Sequence, residues 1–360
     1  MPIRKRQILP IFAWCLKILL GIMLVALIVG IVYLYKLSGQ YKLSPKWLWS
    51  IARDDTSLLK QYQGRTNIVI LGIGGANHEG GDLTDTIMVV SVGLKSHDIA
   101  LISVPRDVWI PTLKDKINSA YHYGEEKAKG GGLILAKSSV EEVVGIPIHY
   151  VALIDFSGFK EIIDVVGGID VEVQDTFTDE SYPIAGKEND ECAGDLEFKC
   201  RYETVTFTKG IEHMNGEQAL KYVRSRYAKD ENGTDFSRGK RQQAVLVSLK
   251  KKILEKQTWT DLNKVKLLYK AIDDATTTDM FLGEALLVAR TSGKDIVIRS
   301  VGITQDEPQK NKKGLLINPP QWKYDGRWVL IPKQDDNFDK IKAYVECVVK
   351  NSLYCESLVN

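Results

Sequence analysis

The sequence has little net charge, few histidines and no recognised nucleotide-binding loop. Its 48 lysines and arginines nearly balance 46 aspartates and glutamates, so the formal charge is only +2 and no overall basic field calls for nucleic acid. The five histidines are scattered without a Ser–His–Asp order, so nothing indicates a serine hydrolase. The glycine-rich segment Gly72–Gly75 matches neither the G-x-G-x-x-G nor the Walker pattern. Any anion binding must therefore come from a local cluster of side chains.

Cysteine is also scarce, and its spacing indicates disulfides rather than metal ligands. Four of the five cysteines form two close pairs, Cys192/Cys200 and Cys347/Cys355. Both spacings exceed the CxxC pattern of zinc sites, and no histidine pair lies nearby. Local pairing is the simplest of the three possible connectivities, and it fits an oxidising compartment.

A long apolar run near the N-terminus is typical of a membrane anchor. Residues Ile18–Tyr35 carry no charge, and at about 1.5 Å per residue they nearly span a bilayer core of about 30 Å. A cleaved signal peptide is the alternative, but the run exceeds the usual signal core of about 7–15 residues and no A-x-A-like site follows it.

The basic residues around this run indicate its orientation. Lys36 alone follows closely, whereas four precede it: Arg4, Lys5, Arg6 and Lys17. The positive-inside rule therefore predicts a cytoplasmic tail (1–17), a transmembrane helix (18–36) and an extracytoplasmic remainder, all at the cell membrane. The predicted tail is too short for a DNA-reading module.

After a juxtamembrane linker (37–65), apolar segments of strand and helix type alternate, which predicts an α/β or α+β layered structure. The predicted strands are Asn67–Leu71, Thr86–Val92, Ile99–Val104, Tyr150–Ile154, Val171–Val173, Asp295–Ser300 and Trp328–Pro332. The predicted helices are Val140–Val144, Phe156–Val166, Gln218–Arg226, Arg241–Leu254, Asp261–Asp273, Met280–Ala289 and Phe338–Val349. We expect one domain (66–350) with a polar surface insertion (178–202) and a C-terminal tail (351–360).

Arginines in two distant segments suggest a phosphate site. Arg106 follows a buried strand, and the second group comprises Arg224, Arg226, Arg238 and the nearby Gln242. The planar guanidinium fork matches phosphate oxygens and stays charged. A solvated surface paired with nearby acids such as Asp235 is the alternative reading. The position of Arg106 favours a binding site, because ligands of open α/β sheets sit beyond the carboxyl ends of strands.

Two further segments carry candidate polar ligands. Asp85 opens the second predicted strand, where a carboxylate can hold Mg²⁺ shared with substrate phosphates. The alternative for Asp85 is an ordinary turn aspartate. Lys116 can meet a phosphate as a point charge, and Asn118 next to it is equally suited to a helix cap.

Seven segments, in this order, resemble the LytR–CpsA–Psr family of cell-envelope glycopolymer transferases. They are NIVILGIGG, LTDTIMVVSV, ISVPRDVWIP, KINSAYHYG, IDFSGFKEIIDVVGGIDVEV, GIEHMNGEQALKYVRSRY and DFSRGKRQQ. The resemblance implies an α/β fold of α-β-α layers, with a central mixed β-sheet flanked by helices and preceded by one transmembrane helix. It also implies an apolar groove for a polyprenyl tail, Mg²⁺, and an arginine cluster around a pyrophosphate.

Carried over by position, the resemblance gives each candidate a role. Asp85 is the expected metal ligand, and the expected catalytic residues are Asp85, Arg106 and Asp107. The expected pyrophosphate contacts are Arg106, Lys116, Arg224, Arg226, Arg238 and Gln242. Asp107 is the preferred general base, with Asp235 second. Leu83 stands where relatives often have an arginine, and Gly72–Gly75 lacks their acidic residue, so Asp82 is a further candidate metal ligand.

The predicted function is a Mg²⁺-dependent phosphotransferase that moves a glycopolymer from a polyprenyl-pyrophosphate carrier onto peptidoglycan. Its expected partners are the lipid-linked glycopolymer, the peptidoglycan acceptor and the membrane, without nucleic acid. The alternatives are a non-catalytic polyprenyl-phosphate-binding protein and a pyrophosphatase of the cell envelope.

Overall fold

The computed structural model describes residues 44–75, 80–187, 189–228, 233–293, 296–306, 308, 313–334, 337–351 and 355–359. The predicted cytoplasmic tail and transmembrane helix lie outside these ranges. Within them, no helix is long and apolar enough to cross a membrane.

Two compact units make up the chain. Phe281–Arg290 groups with the residues up to Leu58, and the rest of the chain forms the larger unit. The helices of the whole described chain are α1 Pro45–Arg53, α2 Ala120–Lys127, α3 Gly131–Val144, α4 Phe156–Val166, α5 Gly216–Arg224, α6 Asp235–Ile253, α7 Lys256–Thr260, α8 Leu262–Ala275, α9 Leu282–Thr291 and α10 Asp339–Val349.

The smaller unit pairs α1 with most of α9, so the predicted linker holds a helix. Pro45 occupies the first helical position, where its missing N–H is not needed, and Asp54 ends the helix in the left-handed conformation. Gly283 of α9 faces the Trp47 ring so closely that an added Cβ would lie 2.5 Å from it. Arg290 completes the unit with an ion pair to Asp54 at 3.2 Å.

A six-stranded mixed sheet forms the centre of the larger unit. The strands are β1 Arg65–Ile73, β2 Thr84–Gly93, β3 Asp98–Ser103, β4 Trp109–Ile110, β5 Asp115–Lys116, β6 Tyr150–Asp155, β7 Ile169–Val173, β8 Phe177–Pro183, β9 Tyr202–Phe207, β10 Gly210–Met214, β11 Thr276–Thr278, β12 Val297–Gly302, β13 Leu316–Ile317 and β14 Ile331–Pro332. The sheet order is β11-β6-β1-β2-β3-β12. β1 runs parallel to β6 and β3 to β12, whereas β2 is antiparallel to both of its neighbours.

Helices cover both faces of this sheet, which confirms the predicted mixed sheet flanked by helices. Alternate residues such as Val69 and Leu71 of β1 pack into a core with α3 and α10. The intervening residues, such as Ile70 and Met88, face a cavity whose far wall is built by α4, α5 and α6. The period-2 alternation of a strand therefore divides its apolar side chains between two layers.

The predicted surface insertion is partly regular structure. Its first residues lie in β8 and its last residue begins β9, and these strands pair antiparallel from Phe177↔Phe207 to Pro183↔Tyr202. Cys192 and Cys200 form a disulfide in the connection between them, and Cys347 and Cys355 form a second disulfide near the C-terminus. Both predicted pairs are therefore closed.

Candidate functional site

Several chain segments that carry candidate residues meet at one edge of the sheet. The carboxyl ends of the parallel-running strands β1, β3, β6 and β12 lie at this edge, together with the amino end of the antiparallel β2. Asp85 stands near the start of β2, and Arg106 lies three residues beyond the end of β3. The topology thus brings together residues from distant parts of the sequence.

A β-bulge sets the direction of the Asp85 side chain. Gly72 pairs with Thr86, but the next residue, Ile73, pairs with Thr84, so Asp85 is the extra residue of the antiparallel pair. A bulge of this kind interrupts the alternation of side chains and re-aims one of them. As a result, Asp85 and Thr86 both line the cavity on the same face of the sheet.

Three arginines surround the Asp85 carboxylate. Arg106 donates Nη1 to Asp85 Oδ1, and Nη2 of Arg226 lies 3.7 Å from the same oxygen. Burial favours the neutral carboxyl, but the charges of Arg106, Arg226 and Arg238 outweigh it and hold the pKa of Asp85 below its ordinary value of 3.8. Asp85 is therefore a carboxylate at neutral pH.

Arg224 and Arg226 reach the same cavity because the helix ends between them. α5 stops at Arg224, and Ser225 has the extended backbone angles φ −52° and ψ 132°. The prediction that the helix continues to Arg226 is wrong, and the extended backbone is what lets residues two apart share a face. Arg224 lies 4.2 Å from the centroid of the Phe156 ring and donates to Tyr182 Oη at 3.4 Å.

A buried carboxylate that sequence reasoning missed fixes this turn. Asp179 is fully buried, and its Oδ2 accepts hydrogen bonds from Ser225 Oγ at 2.6 Å, from the Arg226 N–H at 2.9 Å and from the Tyr227 N–H at 3.1 Å. Asp179 lies in a segment that appeared to be a polar insertion, so its role had no local signal.

Arg241 also stabilises this turn. Its role was not predicted from the sequence. Its guanidinium donates to the carbonyl oxygens of Tyr222 at 2.8 Å and Ser225 at 2.5 Å, and it stacks 4.8 Å from the Phe177 ring. Arg241 is 4% exposed, so it orients the turn rather than facing the cavity. The run Arg238–Gln243 offers several polar side chains, and the sequence does not tell which of them turns inward.

Arg238 and Gln242 share one face of α6, as their spacing predicts. The helix begins at Asp235 rather than at Arg241, with Thr234 as its capping residue. Both side chains line the cavity beside Asp85, and Gln242 Nε2 donates to Thr86 Oγ1 at 2.8 Å. The side chain of Asp235 lies outside the described residues.

The cavity below this charged cluster is mostly apolar and has a volume of about 220 Å³. Its charged and polar residues are Asp85, Thr86, Asp155, Tyr182, Arg224, Arg226, Tyr227, Arg238 and Gln242, and five of them are predicted site residues. The apolar wall comprises Ile70, Met88, Ile154, Phe156, Phe159, Ile162, Leu220, Val223, Val245, Leu246 and Leu249. This arrangement suits a ligand with an anionic end and a hydrocarbon body.

Asp107 and Lys116 lie outside this lining, as does Arg106 itself, so their predicted roles stay predictions. Asp107 is 5% exposed and accepts a hydrogen bond from Lys116 Nζ at 2.7 Å. The Asp107 carboxylate also lies 3.5 Å from Nε of Arg106, so it orients that arginine. A buried, ion-paired carboxylate is poorly placed to take a proton from a substrate. Asp107 and Lys116 therefore support Arg106.

Asp85 is the carboxylate of this cluster that could hold a divalent cation shared with a phosphate ligand. Mg²⁺ commonly takes one or two protein carboxylates, with water and phosphate oxygens completing its shell. Asp85 offers one carboxylate, and Asp155 lines the same cavity with its Oδ1 accepting the Gly158 N–H at 2.7 Å. Asp82 instead bonds to Nδ1 of His122 at 2.5 Å. Elsewhere in the described ranges, one possible metal cluster occurs, Asp190 with the disulfide cysteines Cys192 and Cys200.

Fold and site together define an α/β protein that gathers arginines and a carboxylate at the mouth of an apolar cavity. The model of the LytR_cpsA_psr family matches residues 37–328. The chain belongs to the LytR–CpsA–Psr family.

Curated relatives are similar over part of their length. A polyisoprenyl-teichoic acid–peptidoglycan teichoic acid transferase TagU of Bacillus cereus is 31% identical over 190 residues, covering 52% of each chain. The protein of the same name from Enterococcus faecalis is 29% identical over 210 residues, covering 57% of this chain and 58% of the relative. The chain thus spans about half the length of these relatives.

Solved structures share the fold. The crystal structure of B. subtilis TagV has 24% identity and a TM-score of 0.56, covering 81% of this chain and 99% of TagV. The structure entitled TagT bound to LI-WTA has 20% identity and a TM-score of 0.52, covering 82% of this chain and 96% of TagT.

Proposed function

We propose that this chain is a phosphotransferase of the cell envelope that moves a glycopolymer from a polyprenyl-pyrophosphate carrier onto peptidoglycan. The observation that carries the proposal is the meeting of Arg106, Arg226 and Arg238 around Asp85 at the mouth of an apolar cavity. The names of the TagU relatives, which describe transfer of teichoic acid from a polyisoprenyl carrier to peptidoglycan, support the same reaction.

The reaction requires positioning and charge neutralisation more than covalent chemistry. A sugar hydroxyl of the acceptor attacks the phosphorus that bears the glycopolymer and forms a new phosphodiester bond. The bond from that phosphorus to the bridging oxygen breaks, and polyprenyl phosphate leaves. The leaving polyprenyl phosphate takes up the proton that the attacking hydroxyl loses. No residue of the protein therefore has to retain this proton at the end of the reaction.

The arginines would each hold part of the pyrophosphate. Arg224 and Arg226 face the apolar cavity from one side, and Arg238 and Gln242 face it from α6. Because several guanidinium groups are already fixed by their neighbours, they can stabilise charge on the phosphate oxygens without reorganising. A Mg²⁺ ion held by Asp85, with Asp155 nearby, would neutralise further phosphate charge.

The apolar wall explains why a lipid carrier is favoured over a soluble sugar nucleotide. A hydrocarbon chain entering between the sheet and α4–α6 would be removed from water, and each buried methylene contributes about 0.8 kcal/mol. A membrane anchor at residues 18–36 would keep the domain beside such a lipid. The two disulfides are consistent with a location outside the cytoplasm.

The test uses the full chain in detergent with Mg²⁺, a polyprenyl-pyrophosphate-linked glycan and a peptidoglycan acceptor. We expect polyprenyl phosphate to appear together with acceptor-linked glycan, and both to decline when Mg²⁺ is chelated. Release of polyprenyl phosphate that does not need the acceptor would indicate the alternative pyrophosphatase. Tight lipid binding with no turnover would indicate the non-catalytic binder.

A further inference from the structure

A second cavity opens on the other side of the charged cluster. Asp85, Arg238 and Gln242 line both cavities, so they form a partition between them. Arg106 faces only the second cavity, whereas Arg224 and Arg226 face only the first. A ligand in the second cavity would therefore meet these three residues without occupying the first cavity.

The second cavity has the chemistry of a saccharide site. It offers hydroxyl groups from Ser103 and Thr304, the amide of Gln305 and the charged groups of Lys313 and Glu356. Such groups donate and accept hydrogen bonds, as sugar hydroxyls require. Trp328, 38% exposed, adds an indole with an apolar face and a polar N–H. With a volume of about 560 Å³, the cavity is open enough for a short glycan.

Residues beyond the region matched by the family model build one wall of this cavity. The match ends at residue 328, whereas Tyr344, Glu356 and Val359 lie further along the chain. Tyr344 belongs to α10, and Glu356 lies in the short 3₁₀ helix Cys355–Leu358. This wall is therefore a feature of the chain that the family pattern does not describe.

The Cys347–Cys355 disulfide fastens this wall to the core. Cys347 follows Tyr344 by three residues in α10, and Cys355 directly precedes Glu356. Val359 packs against the same core as α10, and its N–H donates to the Glu356 carbonyl oxygen at 3.2 Å. The disulfide therefore adds a covalent link to the packing contacts that hold 355–359 against the core.

We propose that the second cavity binds the acceptor saccharide and that the disulfide-fastened segment 355–359 shapes it for that ligand. This inference rests on the proposed function. The lipid tail occupies the first cavity, the acceptor occupies the second, and the pyrophosphate lies at the partition of Asp85, Arg238 and Gln242. The acceptor hydroxyl then meets the phosphorus at this partition, where an in-line displacement requires it to lie opposite the leaving oxygen.

The test compares two double variants that each remove one disulfide of the same sequence separation, eight residues. Cys347→Ser/Cys355→Ser releases the cavity wall. Cys192→Ser/Cys200→Ser is the matched control. It removes a disulfide that closes a loop of the same length in the connection between β8 and β9. The full chain is titrated with a soluble GlcNAc–MurNAc disaccharide by calorimetry and, separately, with a fluorescent polyprenyl phosphate.

We expect the first variant to bind the disaccharide at least five-fold more weakly, with lipid affinity within two-fold of the native chain. The control variant should change neither affinity. In turnover, the same variant should raise KM for the acceptor with KM for the lipid donor unchanged. Equal weakening of both ligands, or no weakening of the disaccharide, would overturn the proposal.

A second pair of substitutions covers the case in which the cysteine variant is poorly folded. Trp328→Leu keeps an apolar side chain but removes the indole, and Thr304→Val keeps the shape but removes the hydroxyl. Each should weaken disaccharide binding at least three-fold with thermal unfolding unchanged. Disaccharide binding is measured without turnover. The saccharide proposal can therefore be tested even if the proposed transfer reaction is not found. Native affinity in both variants would contradict a saccharide site.

Discussion

Asp85 and Thr86 are consecutive residues of β2, yet both side chains line the same cavity. A regular strand would send them to opposite faces, and the bulge opposite Gly72 and Ile73 removes that alternation. Gly72 permits this arrangement because an added Cβ would lie 2.9 Å from Cβ of Thr86 and 3.2 Å from its Oγ1. The position of the central carboxylate thus depends on a residue without a side chain on the neighbouring strand.

The first prediction concerns this contact. Gly72→Ala should lower the free energy of unfolding by about 1–3 kcal/mol, because the methyl group has no space in the packed strand pair. Urea unfolding monitored by circular dichroism measures the change. In a Thr86→Gly background, which lacks the contacting atoms, the same Gly72→Ala change should cost less than in the native chain. An equal cost in both backgrounds would show that the clash has another source.

The second prediction concerns Arg106. Arg106→Ala should reduce transferase turnover by about 10²–10³-fold, because it removes a guanidinium fixed beside the carboxylate and the phosphate position. Arg106→Lys should recover only a small part, since a point charge lacks the planar fork. Arg201→Ala, in the β8–β9 connection, is the matched control and should keep native turnover. Turnover within three-fold of native in Arg106→Ala would remove the proposed site.

The third prediction tests Asp179 as a positioning residue. Asp179→Ala leaves three hydrogen-bond donors of the turn at Ser225, Arg226 and Tyr227 without their acceptor, and it should cost about 2–4 kcal/mol of unfolding free energy. Lipid affinity should fall as well, because Arg226 loses its fixed direction. Asp175→Ala, an exposed aspartate just before β8, is the control and should change stability by under about 0.5 kcal/mol. A similar loss in both variants would refute the positioning role.

The sequence predicted the layers of the fold because its strands alternate or are wholly apolar and its helices have regular apolar spacing. It also predicted that Arg224 and Arg226 could share a face if the backbone were extended, and Ser225 provides that extension. The bulge at Asp85 was not predictable, since it depends on the pairing of β1 with β2 and not on the sequence of β2 alone.

Contacts between residues distant in sequence were also not predictable. Asp107 adjoins Arg106 and looked like a base, but its ion pair with Lys116 needs the β4–β5 hairpin to close. Asp179 looked like part of a polar insertion, and only its contacts with the turn some 46 residues later reveal its burial. A local sequence pattern gives the residue type and its spacing. The direction of the side chain depends on tertiary contacts that the pattern does not contain.

The fourth prediction is a pH dependence of stability. Burial, with the nearby charges of Lys137 and Lys60, lowers the pKa of His149 to about 4, and its Nδ1 accepts the Asn67 N–H at 2.9 Å. The folded state therefore keeps the ring neutral, whereas the unfolded chain binds a proton near pH 6.5. This contribution to stability is fully present above pH 6.5 and is lost as the pH falls from 6.5 towards 4.

Urea unfolding at pH 7.0, 5.5 and 4.5 measures the effect. We expect a decrease on the order of 1–2 kcal/mol, less than the full pKa difference implies because solvent screens a ring that is only partly buried. His149→Gln, which can still accept the Asn67 N–H, should remove most of this slope between pH 6.5 and 4.5. An unchanged slope in His149→Gln would assign the pH dependence to other groups.

The last prediction separates the lipid tail from its charged end. Leu246→Trp should fill part of the apolar cavity from α6, because Leu246 lines it and is only half-buried, so that the larger ring can be accommodated. Affinity for a long polyprenyl pyrophosphate should then fall at least ten-fold, since the tail loses buried contact area. Affinity for inorganic pyrophosphate should stay within two-fold, because the arginines remain in place.

Leu267→Trp, at an exposed position of α8, is the matched control and should leave both affinities unchanged. The comparison tests whether the apolar cavity binds the tail and the arginines bind the pyrophosphate independently. If Leu246→Trp lowered the affinity for pyrophosphate as much as the affinity for the long lipid, the cavity and the arginines would not be separate subsites. The substitution in the apolar wall would then be disturbing the charged cluster. If neither ligand were weakened, the tail would have to lie outside the space between the sheet and α6, and the lipid assignment of the cavity would be wrong.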